Sequence, residues 1–333
     1  MNWKIVKIGF LIILGLLLII PSLLYLNAID LSKKHTAKVN ALPLLTDKDH
    51  TGAFRLKANN LEFLVRIAGM QNDGEAVILL HGFPESSIMW QPLLDSAAAR
   101  GYRVLAFDQR GYSPNARPTQ VEDYEIDNLV ADVLAIADEV DFDTFHLVGH
   151  DWGAGVGWKT VIDYPERIRT WTALSIPHIG VFFDAVLNHP EQQKRSAYMH
   201  RLRMPIIPEF LSQVFKDRIF EGVKGVWTAQ QIEEYGALHS EHGATTATLN
   251  WYRAAKFEQS EVDILLQKKV YRPTLFIWGA RDAVVAPTII PMQESYIEAP
   301  YQSLKLDSGH SLIQLKQDSV LGAIFLHFDE YSS

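Results

Sequence analysis

Residues 147–158 read LVGHDWGAGVGW. A β-branched, apolar run at 144–148 feeds through Gly149, His150, Asp151 and Trp152 into a helix-like run at 153–164, with no slack between them. Small residues at Gly149, Gly153 and Ala154 let a strand and a helix approach closely, so the side chain at the point of the turn is thrust outward at a helix N-terminus. Such a turn ordinarily carries serine at its point, as G-x-S-x-G. Here a carboxylate, Asp151, stands there. An isolated Asp before a helix is most often an N-cap, so its partners must decide what it does.

Outward from this turn the chain alternates. Runs rich in β-branched, aromatic and aliphatic residues at 61–67, 76–80, 102–107, 144–148, 170–174, 274–278 and 303–306 predict strands. Stretches at 87–100, 124–140, 153–164 and 287–297 predict the helices between them, and 311–328 a closing helix. Alternating strands and helices require crossover connections, hence an α/β fold with a mostly parallel central sheet flanked by helices. Between about 177 and 262 no buried strand is evident, while 192–202, 210–220, 228–235 and 245–257 have helical composition. The expected organisation is a core from 45–176 and 266–333, a helical cap inserted at 177–265, and a separate N-terminal segment at 1–29. A ligand is expected at the carboxyl ends of the strands, under the cap.

Two further strand ends supply partners for Asp151. The run 274–278 leads into Gly279, Ala280, Arg281 and Asp282, and the run 303–306 leads into Asp307, Ser308, Gly309 and His310. A nucleophile, an acid and a histidine, each after a successive strand end, is the chain order of a hydrolytic triad on a parallel sheet. Directly after the run 76–80 comes His81-Gly82-Phe83-Pro84. In such a site this loop gives one backbone N–H to an oxyanion hole, and the residue after the nucleophile gives the other. Phe83 and Trp152 are the candidate donors.

The stretches HGFPESSIMW from His81, DQRGYSPNARP from Asp108, GHDWGAG from Gly149 and LNWYR from Leu249 together resemble the α/β-hydrolase-fold epoxide hydrolases. The likeness runs from about residue 50 to the end of the chain. It implies an α/β-hydrolase fold with a helical cap, Asp151 as nucleophile, Asp282 as acid and His310 as the base that activates water. It also implies two cap tyrosines that protonate the epoxide oxygen: Tyr252 within LNWYR, and Tyr198 in AYMHRLRMP. The surroundings of Tyr198 match only in outline, and Ser311 stands where many members have an aromatic residue.

A carboxylate suits that chemistry. Displacement at the saturated carbon of an epoxide by serine leaves an ether, a dead end, whereas an ester on Asp151 can be cleaved by activated water. The alternative with the same triad is a haloalkane or haloacetate dehalogenase. Against it, Phe83 stands where haloalkane dehalogenases resemble HGNP, and Trp152 where haloacetate dehalogenases tend to carry Arg. A serine esterase lacks its G-x-S-x-G, and a non-catalytic binding protein is expected to lack a triad member. The cap aromatics Phe182, Phe183, Phe210, Phe215, Trp227 and Trp251 point to an apolar epoxide.

Composition narrows the rest. The 333 residues are 48% apolar and 21% charged, enough for a sizeable core, and a formal net charge of -8 excludes a basic face for nucleic acid. With no cysteine there is no thiol nucleophile or thiolate metal site, and the histidines lack ligand spacing, so no metal and no cofactor is expected. Residues 8–26, IGFLIILGLLLIIPSLLYL, carry no charge and are long enough to cross a bilayer core of roughly 30 Å. The expectation is a single-pass membrane anchor with the lipid bilayer as a partner. The alternative is a cleaved signal on a secreted or periplasmic protein, for which YLNAID is a poor cleavage site. Lysines on both flanks leave the orientation open.

Overall fold

The structure, a computed structural model, describes Leu23, residues 52–212 and residues 225–332. Its strands are β1 (Gly52–Ala58), β2 (Leu61–Ala68), β3 (Ala76–Leu80), β4 (Arg103–Phe107), β5 (Phe145–His150), β6 (Ile168–Leu174), β7 (Thr274–Gly279) and β8 (Tyr301–Leu306). They form one sheet in the order β1-β2-β4-β3-β5-β6-β7-β8. β1 and β2 form an antiparallel hairpin and β2 meets β4 antiparallel; every pairing from β4 through β8 is parallel. The strand β1 went unrecognised in the sequence, because GAFRLKA follows a polar lead and alternates only weakly.

The central strands are apolar on both faces because both are covered. In β3, Ile78 and Leu80 join the core under α2 (Ile126–Glu139) and α3 (Trp152–Asp163), while Val77 and Leu79 join the core under α1 (Gln91–Ala98) and the C-terminal helix Gln317–Glu330. Such side-to-side alternation within a continuous apolar run is what a buried parallel strand requires. The run 287–297 forms a 3-10 helix, Pro287–Tyr296, with Pro291 inside it, a position where regular α-helix loses a hydrogen bond.

Between β6 and β7 the described residues hold only helices: α4 (Ile179–Asn188), α5 (Pro190–Leu202), α6 (Ala229–Ser240), α7 (Ala244–Ala254) and α8 (Gln259–Leu266). The expected segment 210–220 lies mostly outside the described residues, and α4 and α8 are additions to the expectation. α6 starts with a reciprocal capping box between Thr228 and Gln231. This cap is fastened to the core by Arg66 on Glu234 at 2.5 Å, Arg117 on Glu241 at 2.5 Å, the Trp227 indole on Glu85 at 2.7 Å, and His239 Nε2 against the Pro84 carbonyl at 2.9 Å.

The expected membrane anchor is corrected. Among the described residues no helix is long and apolar enough to cross a membrane, and residues 8–26 lie, Leu23 apart, outside the described residues. An uncharged run is necessary for a span, but the span itself must be a continuous helix of about 20 residues. The longest described helices, α2 and Gln317–Glu330, have 14. The membrane location and the bilayer as partner are therefore withdrawn, since no described helix supplies the span they require.

Candidate active site

The carboxyl ends of five strands lie in one row. Leu80 of β3 pairs with Gly149, His150 with Leu174, Leu174 with Ile277, and Gly279 with Leu306. Phe83, Asp151, Ser175, Asp282 and His310 follow these strand ends by one to four residues and are thus brought together although they span most of the chain. The row includes the switch point where the chain, having added β4 on one side of β3, returns to the other side as β5. Open α/β sheets bind ligands there.

Asp151 holds φ 53 and ψ -120, a left-handed conformation that costs a non-glycine residue roughly 1–3 kcal/mol. The strain is sustained by packing. A Cβ on Gly153 would run into the backbone carbonyls of Leu80 and His81, so only glycine lets α3 start this close to β3. A Cβ on Gly82 would run into the Asp151 side chain. Asp151 does not cap α3 with its side chain. Its carboxylate turns inward: Oδ1 accepts the Phe83 N–H at 2.9 Å and Oδ2 lies 3.3 Å from His310 Nε2, while the Trp152 N–H favours the charged carboxylate.

His310 Nδ1 lies 2.9 Å from Asp282 Oδ2. Asp282 is itself fixed, its Oδ1 accepting the N–H groups of Val284 at 2.7 Å and Val285 at 3.2 Å. Burial opposes its charge, but His310, Ser175 and the Val284 amide together hold its pKa down to about 2. Asp151 is likewise lowered: burial works against ionisation and the hydrogen bond and charge of His310 overcome it. For His310, burial favours the neutral ring, yet the charge of Asp282 and the hydrogen bonds to Asp151 and Asp282 drive its pKa well above the ordinary value. These shifts favour an imidazolium between two carboxylates.

Across the cavity stand Tyr198 on α5 and Tyr252 on α7, with ring centroids 6.3 Å apart. Both line the same space as Asp151, a narrow cavity walled by Ile179, Phe182, Phe183 and Val284. Tyr252 packs edge-on against Phe83 at 5.4 Å and Trp152 at 5.0 Å. Burial, with the Asp151 charge nearby, pushes the ionisation of both phenols upward, so each remains an O–H donor at neutral pH. Of the other cap aromatics, Trp251 backs Trp152, Trp227 bonds Glu85, Phe210 is exposed, and Phe215 lies outside the described residues.

Of the seven residues picked out in the sequence, Asp151, Trp152, Tyr198 and Tyr252 line the cavity, while Phe83 and His310 reach Asp151 and Asp282 reaches His310. Three more were missed. Ser175 makes two hydrogen bonds to the His310 and Asp282 pair. Glu85 is buried, bonded by Trp227 and Gln314, with Oε2 facing His150 Nδ1 at 3.5 Å. His150 in turn reaches the His310 carbonyl at 3.0 Å. Glu85 follows directly on the His81 loop and His150 precedes Asp151, so their position was a signal; a single serine after a strand is none.

Known proteins resemble the chain in sequence and in fold. A family model described as alpha/beta hydrolase fold matches residues 75–315. The chain is 30% identical over 288 residues to epoxide hydrolase 4 of Mus musculus, covering 82% of this chain and 78% of that one. It is 28% identical over 293 residues to epoxide hydrolase 3 of Xenopus tropicalis, covering 83% and 77%. Among solved structures, an epoxide hydrolase of Bacillus megaterium in complex with an inhibitor superposes with a TM-score of 0.73 at 27% identity, covering 83% of this chain and 99% of that one. The fold and the row of strand ends define an α/β-hydrolase. Within that class the chain belongs to the epoxide hydrolase family, and it is a hydrolytic enzyme.

Proposed function

We propose that the chain converts apolar epoxides to vicinal diols through a covalent ester on Asp151. The observation that carries this reading is the division of labour at one carboxylate: Asp151 Oδ1 accepts the Phe83 N–H while Oδ2 faces His310. Oδ2 is then the attacking atom. It displaces the ring oxygen from one epoxide carbon, and Tyr198 and Tyr252 hydrogen-bond that oxygen, one of them giving it a proton. The C–O bond of the ring breaks as the Asp151 ester forms.

Esterification changes the state of His310. Asp151 no longer carries the negative charge that helps hold the imidazolium, so His310 loses its proton more readily and becomes a base just when one is needed. It takes a proton from water, whose oxygen attacks the Asp151 carbonyl carbon. Negative charge gathers on Oδ1, which accepts the Phe83 N–H, with the Trp152 N–H as the second donor of the proposed oxyanion hole. The ester C–O bond breaks as His310 passes that proton to the former Oδ2, the diol leaves with this oxygen, and the water oxygen stays in Asp151; the carboxyl proton of Asp151 then goes to His310, and the proton His310 shed after alkylation restores the tyrosine.

The walls of Ile179, Phe182, Phe183 and Val284 support an apolar substituent on the epoxide. The tyrosine pair supports an epoxide over an alkyl halide, because a departing halide needs no proton. A single turnover in oxygen-18 water tests the cycle. The proposal expects label in Asp151 and none in the first diol; label passing directly into the first diol would overturn it.

A further inference from the structure

We infer that Ser175 is a positioning residue for His310, holding the imidazole with its Nδ1 proton toward Asp282 and Nε2 toward Asp151. This rests on the ester cycle proposed above. Ser175 is the first residue beyond β6, fully buried, and its N–H donates to the Ile277 carbonyl of β7 at 2.9 Å. That bond fixes its backbone between the strand that leads to Asp151 and the strand that leads to Asp282. Its φ of 74 is left-handed, a conformation that residues with a Cβ adopt at a cost and that therefore needs its surroundings to impose it.

The turned backbone aims the hydroxyl at the dyad. Ser175 Oγ lies 2.7 Å from Asp282 Oδ2 and 2.7 Å from His310 Nδ1, and those two atoms are 2.9 Å apart. The three atoms close a triangle, and the protons in it are determined. A carboxylate with a pKa of about 2 only accepts, so the serine O–H goes to Asp282. The oxygen then presents a lone pair to His310, and Nδ1 must carry a proton that is shared between Ser175 and Asp282. In the neutral ring this leaves Nε2 as the basic atom. One contact to Asp282 lets the ring swing about the Nδ1···O line; the second contact fixes its plane.

Such a role falls on the half of the cycle in which His310 acts as a base. Alkylation of Asp151 does not require it. Single-turnover measurements with an aryl epoxide on Ser175→Ala and Ser175→Gly separate the two halves. Ester hydrolysis is expected to slow between about tenfold and a hundredfold in both variants. Alkylation stays near the unsubstituted rate, so ester accumulates in the steady state. Glycine accepts the left-handed backbone without strain, so it also serves where alanine folds poorly.

Hydrolysis at the unsubstituted rate in both variants would overturn the inference, as would a slow Ala variant beside a fast Gly one, or a parallel loss of both half-reactions. A His310→Gln control distinguishes the underlying reading. If that variant still hydrolyses the ester, the ester cycle fails; if it stalls while Ser175→Ala does not, only the role of Ser175 fails.

Discussion

His310 Nε2 lies 3.3 Å from Asp151 Oδ2, close enough for each group to set the charge of the other. The imidazolium keeps Asp151 ionised and the carboxylates keep His310 protonated. The two halves of the cycle consequently have different pH dependences. Alkylation needs only ionised Asp151, whose pKa is lowered, so kcat/KM is expected to be flat from neutral pH down to the ordinary carboxylate range. Hydrolysis needs neutral His310, so kcat, where hydrolysis limits it, falls at a higher pH than kcat/KM does. Parallel pH–rate profiles of the two parameters check this; coincident acid limbs would contradict it.

The same groups link stability to pH. Asp282 is depressed to about 2, so its contribution is present above the ordinary carboxylate value and is lost as pH falls through about 2. His310 is raised, so its contribution is complete below its ordinary value and is lost as pH rises through the raised one. His310→Gln is expected to flatten the alkaline decline of Tm, and Asp282→Asn to flatten the acid one. Thermal melts across the pH range measure both.

Tyr198 and Tyr252 serve only the ring-opening half. Tyr252→Phe is expected to slow alkylation by about a hundredfold, the scale of a lost general acid, and Tyr198→Phe by a comparable amount. The double variant should be slower than either, because each phenol still supports the ring oxygen when the other is gone. Ester hydrolysis, followed in single turnovers, should be unchanged in all three.

Two glycines separate activity from stability. Gly82→Ala presses on the Asp151 side chain itself, so it is expected to reduce kcat/KM by about a hundredfold through displacement of the nucleophile. Gly153→Ala presses on the Leu80 and His81 carbonyls, and overpacking of this kind lowers Tm by roughly 2–4 °C in a chain of this size. Calorimetry beside steady-state kinetics distinguishes the two.

These residues also explain what the sequence disclosed. The elbow was legible because its steric demands are local: Gly149, Asp151 and Gly153 must lie within a few residues of one another. Asp282 and His310 were legible because parallel strands place their ends in one row, so strand order alone predicts their meeting. Tyr198 and Tyr252 were reached only through resemblance, since their positions depend on how α5 and α7 lie over the sheet, which no local pattern encodes. Ser175 was invisible for a related reason: its role comes from a left-handed turn between two strands that are distant in the chain. The helix α4 was missed because its IGVFFDAVLN is apolar nearly all round, which obscures helical periodicity.

The most direct test of the ester on Asp151 is peptide mass spectrometry of His310→Gln after incubation with an aryl epoxide. Without the base, the cycle should stop after alkylation. The account predicts a gain equal to the whole mass of the epoxide on the peptide that contains Asp151. A variant that has lost turnover yet carries no adduct there, or carries it on another residue, would contradict it.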